Sequence, residues 1–484
     1  NGIYVGKDAV LNVGDLTLST LDMTENGNQL TFAKGAGSGA VNLASGATIN
    51  AADNVHIFGS TVNVADGVTV NLGKGSTNET MLDVKALDRA DYTMGEDGPT
   101  TQSFTHNAGN NVTFNGTVNI RNDKESEVEI GGATVSSTGA KFYGNQLETT
   151  LYAAGKMSMD ERAANRSDHR YTAQTTAENT VMVDGLEARG NELGAKGEQL
   201  SLDRTVSVEK SRFDAAEVTV HGGKVTVDEN TKFNGGDSQR SFEIVAGSVD
   251  DQNNRFTTEK GNDLAFHGDI AGYKSTEDNP VTLIGNTVNL DHATVNAGRL
   301  NVAAAGELVG GERSVPVKAT TENTVSAADA VINTTDDTWL VGGKVAVKDS
   351  TFTSGEEVHL VAANEVDLEK HTAAATVKEV DVVGGKAELT GSNITAREDV
   401  SFLIGNELNG DNATVTKDNM LTLRKTTINA PVAELSAAGA EAYDGTAVNA
   451  SKELKRFDVK RTDGSEAVYQ RDASSHIRQN GEEA

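Results

Sequence analysis

The stretch that opens Gly343-Lys344-Val345-Ala346-Val347-Lys348-Asp349 and runs to Leu421 can be stacked on itself. Gly343, Asn364, Gly385 and Asn406 fall in one column, each 21 residues from the last. Val345, Val366, Ala387 and Leu408 form a second column at the same period. Phe352, Ala374, Ile394 and Val415 form a third, and Val358, Val380, Val400 and Leu421 a fourth, with slips of one residue. Gly and Asn tolerate positive φ, so their column reads as a sharp corner repeated once per coil. The apolar columns read as side chains that point inward and stack on themselves. A period near 21 with short strands is the signature of a solenoid. The expected fold is therefore all-β, a right-handed parallel β-helix with coils of about 21 residues.

The rest of the chain agrees. Triplets such as Val41-Asn42-Leu43, Thr48-Ile49-Asn50, Val55-His56-Ile57, Val62-Asn63-Val64 and Val68-Thr69-Val70 recur from the start. Most alternate apolar and polar, the period of a half-buried strand. Gly, Asn, Asp and Ser separate them, as turns require. No stretch carries helical spacing with caps. Four polar, irregular segments fit no coil and read as extruded loops, near 84–108, 151–180, 269–280 and 307–338. Insertions of this kind leave a repeat sideways without breaking its stack. Two loops return with near-identical words, Thr175-Thr176-Ala177-Glu178-Asn179-Thr180-Val181 and Thr320-Thr321-Glu322-Asn323-Thr324-Val325. Their recurrence suggests a larger duplicated unit. Residues 451–484 are charged, lose the pattern and read as an irregular tail.

Composition excludes several functions. The 484 residues hold 42 Lys and Arg against 71 Asp and Glu, a net charge of −29. Such an excess repels phosphate backbones, so no nucleic-acid partner is expected. With no Cys there is no disulfide, thiolate metal site or cysteine nucleophile. No apolar run is long enough to span a bilayer as a helix. No hydrolase, nucleotide-binding or calcium-loop motif appears. The adjacent acids Asp250-Asp251, Asp336-Asp337 and Glu356-Glu357 could suggest a glycosidase pair, which needs two carboxyls facing one bond. Neighbours in a strand point to opposite faces and neighbours in a turn point to water, so these read as solvated turn acids. His221 and His267 read as exposed corner residues. No enzyme activity, cofactor or dedicated metal site is expected; stacked surface acids could at most hold divalent cations loosely.

The start of the chain carries a resemblance. Asn1-Gly2-Ile3-Tyr4-Val5-Gly6-Lys7-Asp8-Ala9-Val10-Leu11-Asn12-Val13-Gly14-Asp15-Leu16-Thr17-Leu18-Ser19-Thr20-Leu21-Asp22-Met23 is similar to the secretion domain of filamentous-haemagglutinin-type exoproteins. Asn1, Gly2 and Ile3 match the end of that family's N-P-N-G-I motif. Gly6, Ala9, Val13, Gly14, Leu16, Ser19, Thr20 and Leu21 match the pattern that follows, while Leu11 and Met23 depart from its Val and Ile but stay apolar. The likeness covers residues 1–75; 76–450 resemble the family's stalk in style. It implies two-partner secretion through a cognate outer-membrane transporter of a two-membrane bacterium, and a β-helical rod at the cell surface. The chain is expected to be part of a longer protein.

The expected function is that of a secreted adhesin or filament segment that meets host or neighbouring cells, or their glycans. A self-assembling fibre or coat is the alternative, and a β-helical polysaccharide-degrading enzyme a more remote one. Solenoid walls repeat their chemistry, so contacts are expected in the loops. The loop within 151–180 is the candidate, because Tyr152, Arg162, Arg166, His169, Arg170 and Tyr171 make a basic, aromatic island in an acidic chain.

Overall fold

The computed structural model describes residues 2–96, 98–161, 169–203, 217–250, 255–276, 279–309, 315–320, 322–367, 385–409, 412–416, 419–437, 439–443, 445–462, 466–472, 478–479 and 482–483. Among them there are strands and turns and no helix. The chain divides into two compact units, residues 1–222 with 231–236, and residues 223–230 with 237–484.

Each coil of the first unit contributes three short strands to three parallel walls. In the first coil these are Ile3–Val5, Val10–Val13 and Leu16–Ser19, and in the next Ala40–Leu43, Thr48–Ala51 and Val55–Gly59. The registers put like on like: Ile3 on Val41 on Val62, Leu11 on Ile49 on Val70 on Val118, and Leu18 on Ile57 on Val84 on Ile130. Alternate residues face inward and are buried, which is why a period of two sits inside a period of one coil. Polar residues on the outer faces stack as well. Asn50 donates to Asn12 and Asn71 to Asn50, each at 2.8 Å, the second pair 21 residues apart. The fold is a parallel β-solenoid, as the sequence predicts.

The second unit repeats the plan. Val325 lies on Val345, Ala387, Leu421 and Ala440 in one wall; Ile332 lies on Phe352, Ile394, Ile428 and Val448 in the next. Leu340, Leu360, Phe402 and Leu435 stack in the third. These registers correct the columns read from sequence. Val345 pairs directly with Ala387, Phe352 with Ile394 and Val358 with Val400, so successive coils there stand 42 residues apart, as in the Ser350–Ser392 contact. A coil without an insertion advances 20 residues, as Ala330 to Ser350 shows. An insertion of about one coil's length therefore mimics an extra coil in a 21-residue stack. Val366 and Leu408 pair with each other at the end of the third wall, and Ala374 and Val380 lie outside the described residues.

The corner column moves too. Gly343 and Gly385 begin successive coils, but Gly343 does not have positive φ, and Asn364 and Asn406 lie within the strands Glu357–Asp367 and Asp399–Asn409. Gly343 is small for another reason: a Cβ there would sit 1.7 Å from the Thr320 carbonyl oxygen of the coil beneath. The left-handed corner lies between the first and second walls. Asp329 (φ 53), Asp349 (φ 48), Gly391 (φ 63), Lys425 (φ 48) and Gly445 (φ 80) occupy it in the second unit. Asp8, Gly46, Gly67, Gly139 and Gly185 occupy the equivalent corner in the first. The residue after each of these except Asp8, such as Ala47, Ala140, Ala330 or Ser350, is buried.

The extruded segments are hairpins rather than irregular loops. Five of the hairpins described leave after a third-wall strand and return to start a first-wall strand, and residues 407–409 with Asn412–Thr416 and 456–462 with Glu466–Asp472 are further antiparallel hairpins near the end of the chain. Those at Arg89–Met94/Pro99–Thr105 and Lys156–Glu161/His169–Gln174 fall within predicted loops. Glu307–Val309/Val315–Lys318 occupies only the first part of 307–338; Thr324–Ala328, Val331–Thr334 and Thr338–Gly342 are a regular coil. Asp22–Asn26/Gln29–Ala33 and Ser248–Asp250/Arg255–Thr257 were not anticipated. Within 269–280, Asp269–Tyr273 is a second-wall strand. At the end, Ala447–Thr462 crosses the expected boundary at 451 and pairs with Thr427–Ser436 and, antiparallel, with Glu466–Asp472.

Candidate functional site: hairpin sheets and the polar seams beneath them

Three hairpins of the first unit join edge to edge. Their strands form one antiparallel sheet in the order His169–Gln174, Lys156–Glu161, Pro99–Thr105, Arg89–Met94, Gln29–Ala33, Asp22–Asn26. Phe32, Tyr92, Phe104 and Met157 on this sheet are buried against Phe58 and Tyr152 on the outer face of the third wall. Phe32 meets Phe58 edge-on with ring centroids 5.3 Å apart, and Tyr92 meets Phe104 at 5.7 Å. The layer makes a second apolar core outside the solenoid.

This assembly redistributes the predicted contact residues. Tyr152 is 1% exposed, and its hydroxyl lies 3.1 Å from Nε2 of His106. It anchors the layer and is not available to a partner. Its ring fills the space over Gly131, where a Cβ would lie 2.1 Å from it. His169, Arg170 and Tyr171 lie on the outermost strand, opposite Glu161, Asp160 and Met159. Arg162 and Arg166 lie outside the described residues, as does Asn1, while Gly2 and Ile3 enter the first coil.

Under the layer sits a buried charge. Lys85 is 1% exposed, and its ammonium contacts Asp83 and, at 2.7 Å, Glu129. The Phe104 ring lies over it at 4.3 Å. Asp83 pairs with Glu129 and with His56 across coils, so the wall itself lines up these groups. Burial pushes the Asp83 carboxyl up, but Lys85 and His56 outweigh it and hold it below the usual carboxylate range. Burial likewise disfavours the Lys85 ammonium, yet Asp83 and Glu129 keep it charged above its ordinary value. Glu127, desolvated and next to Glu129, is pushed up to about 7. His106, buried, is pushed down to about 4. Asp83, Lys85 and Glu129 are all buried, so the seam is a compact ion cluster.

The second unit also covers its third wall, with a four-stranded sheet of Ser248–Asp250, Arg255–Thr257, Glu307–Val309 and Val315–Lys318. Trp339, with Phe256 and Leu308 of the hairpins, is buried in the core beneath. The outward column here is polar: Asn301, Trp339, His359, Ser401 and Glu434 lie in successive register and are all buried. Trp339 and His359 stack with centroids 3.8 Å apart and planes at 26°. Nδ1 of His359 lies 2.5 Å from Oγ of Ser401, and Nε2 lies 2.8 Å from Oε2 of Glu357.

The turns that feed this column bring together the acids read as solvated. Asp336-Asp337 lies one coil from Glu356-Glu357, and the Glu357 N–H donates to Oδ1 of Asp337 at 3.2 Å across those 20 residues. Buried Arg299 reaches Oδ2 of Asp337 at 3.6 Å. Burial raises the Asp337 carboxyl despite Arg299 and His359, and Asp336 raises Glu356. Carboxyls one coil apart in sequence are neighbours in space. A register 20 residues long, with His359 two positions past Glu357, was the available signal.

The repeated words have a local cause. Asn179 Oδ1 accepts the Thr176 N–H at 2.8 Å, and its Nδ2 donates to the Ala133 carbonyl of the coil beneath at 3.0 Å. Asn323 does the same with Thr320 and Asn286, at 2.8 and 3.0 Å. Asn110 and Asn262 repeat it after their own hairpins. Each Asn closes a turn and clips the returning chain to the stack, so the shared words mark re-entry from a hairpin and need no larger duplication. No family model, curated protein or solved structure matches the chain.

Proposed function

We propose that the chain is a segment of a secreted bacterial surface adhesin or filament, a β-solenoid that carries contact surfaces on hairpin sheets. The observation that carries this reading is the six-stranded hairpin sheet, a continuous surface unlike any repeating wall, mounted on coils that begin with the secretion-type motif. Its outermost strand bears His169, Arg170 and Tyr171 in a chain of net charge −29, chemistry suited to an acidic glycan or an acidic cell surface. Two-partner export and a cell-surface location follow from the resemblance at Gly2 and Ile3. The test is attachment of the purified chain to cells and arrayed acidic glycans. Replacement of His169, Arg170 and Tyr171 by Ala is expected to lower attachment at unchanged melting temperature. Attachment equal to that of the parent chain would remove the strand from the binding surface. Loss of export on replacing Gly2 and Ile3, with a cognate transporter present, would support the route.

One observation favours the fibre reading as well. Asp22–Asn26 forms the other rim of the sheet, is exposed along its length, and pairs only with Gln29–Ala33 among the described residues. An open edge offers hydrogen bonds to a second chain. Concentration-dependent polymers that vanish on introducing Pro at Thr24 would favour assembly over attachment.

A further inference from the structure

We propose that Asp337, Glu357 and His359 form a binding site for one divalent transition-metal ion, Zn²⁺ before others. A carboxylate oxygen from each acid and one imidazole nitrogen all lie within 4.8 Å of one another. Metal–ligand bonds to N and O are about 2 Å long, so one ion at the centre reaches all three after small side-chain rotations.

The histidine supplies an independent observation. His359 is 8% exposed and is held from three sides. Trp339 stacks on its ring, Ser401 engages Nδ1, and Nε2 points at the acids. Although Glu357 Oε2 is only 2.8 Å from Nε2, the pair lacks the alignment of a hydrogen bond, and this buried nitrogen has no other partner. With Nδ1–H donating to the Ser401 hydroxyl, Nε2 presents a lone pair to a carboxylate. Two lone pairs that close require a cation between them. A proton would serve one carboxylate, whereas here two converge.

The surroundings are those of a metal centre. Ligating histidines characteristically donate their second nitrogen to a neighbouring acceptor, and ligating carboxylates are themselves hydrogen-bonded. Ser401 fills the first role; the Glu357 N–H fills the second on Oδ1 of Asp337, and Arg299 makes an ion pair with Oδ2 at 3.6 Å. Arg299 is the positive group that opposes the ion, and Asp336, Glu356 and Asp399, the register partner of Glu357, supply negative charge around it. The Glu357 side chain is 38% exposed, which leaves a route in and room for water as a fourth ligand. An imidazole with two carboxylates suits Zn²⁺ better than Ca²⁺ or Mg²⁺, which take oxygen ligands. The site would tie the turn before Thr338–Gly342 to the strand Glu357–Asp367, and it stands independently of the adhesive reading.

The test uses the full chain, stripped with a chelator and titrated with ZnCl₂ in a calorimeter, alongside Glu357→Gln, His359→Gln, Ser401→Ala and, as control, Glu25→Gln on the exposed strand Asp22–Asn26 of the first unit. The parent chain and the control are expected to show a one-to-one transition that both ligand variants lose. Ser401→Ala is expected to weaken it about tenfold or more, the usual effect of removing an outer partner. Cobalt loading should give a visible spectrum with nitrogen coordination that is absent from His359→Gln. Circular dichroism checks that the variants fold; the nearly isosteric Glu357→Gln and the small Ser401→Ala keep the test intact should His359→Gln unfold. Absence of a transition in the parent chain, equal affinity in Glu357→Gln and Ser401→Ala, or equal displacement by Ca²⁺ would each overturn the proposal.

Discussion

The two units cover the same wall with the same device and fill the seam beneath in opposite ways. In the first, six hairpin strands close over Lys85, Asp83 and Glu129, a compact ion cluster capped by Phe104. In the second, four strands lie over a column of Asn301, Trp339, His359 and Ser401, and the charges gather at its edge around Arg299 and Asp337. The inward faces of the coils are interchangeable: Val, Ile and Leu stack on Val, Ile and Leu in both. The outward face of the third wall is under no such constraint. Once a hairpin layer covers it, it becomes a second core whose contents are set locally. That is why the two units share an architecture and fill this seam with different chemistry.

The sharpest way to break this contrast is to remove the cation from each seam. Lys85→Met leaves Asp83 and Glu129 buried without their ammonium, with only His56 at 3.5 Å beside Asp83, and is expected to cost about 3–5 kcal/mol. Arg299→Met strands Asp337, whose side chain is 15% exposed and can recruit water, so a smaller loss is expected. Thermal unfolding read with hydrogen exchange in Pro99–Thr105 and in Glu357–Val361 separates the two. Equal losses would mean that the seams are energetically alike after all.

The next largest effect should be common to both units. Asn179→Ala and Asn323→Ala each remove two buried backbone contacts, and each is expected to cost about 1–3 kcal/mol. Native-state exchange of the amides in Thr180–Asp184 and Thr324–Ala328 would report it. A large loss in one unit and none in the other would end the equivalence of the re-entry turns.

Legibility of the fold followed this same line between shared and local. The apolar alternation of Val41 to Leu43 or Val345 to Val347 is imposed by the inward face, so the solenoid could be read. The hairpin at Asp22–Ala33 was missed although its Asn26-Gly27 turn is a strong hairpin signal, with Gly27 at φ 63. Its strands lay inside the secretion-type match and were read as part of a coil. Nothing local to Tyr152 announces that a hairpin sheet is laid over it, so its sequence neighbours alone imply a contact residue on a loop. The acids at Asp336-Asp337 and Glu356-Glu357 have turn residues as sequence neighbours, whereas their neighbours in space lie one coil away. Side chains that meet through the register are visible only once the coil length is known, and the insertions obscured it.

Acid and base should separate the units further. Glu127 binds its proton more tightly folded, at about 7 against an ordinary 4.5, so its contribution is present below pH 4.5 and lost as pH rises through 7. His106 works the other way: depressed from 6.5 to about 4, it contributes above pH 6.5 and that stability is lost as pH falls through 4. The two oppose each other between 4.5 and 6.5. Glu127→Gln is expected to stabilise the first unit at pH 8 by about 1–2 kcal/mol, discounted for its partial exposure, and to unmask loss on acidification. An unchanged pH profile of melting would count against the buried carboxyl.

The smallest effect concerns the corners, where the first unit uses Gly139 and Gly185 and the second uses Asp329, Asp349 and Lys425. Lys425→Gly is expected to stabilise by up to about 1 kcal/mol, since Lys is strained at φ 48, and Gly185→Ala to destabilise by about the same. Chemical denaturation of both variants checks the sign; a like sign in the two would show that the corners differ in more than their residues.

The Asn clip of the returning chain, seen at Asn110, Asn179, Asn262 and Asn323, has a consequence for how such a surface can change over generations. Because exit and re-entry are fixed by Thr176 to Asn179 or Thr320 to Asn323, the segment between them can be lengthened, shortened or exchanged while the frame is left alone. Doubling a flexible insert adds only about 0.6 kcal/mol in closure entropy. The corner thus behaves as a socket, into which new surfaces can be grafted by recombination or by design, and whose contents can drift freely while the scaffold stays constant.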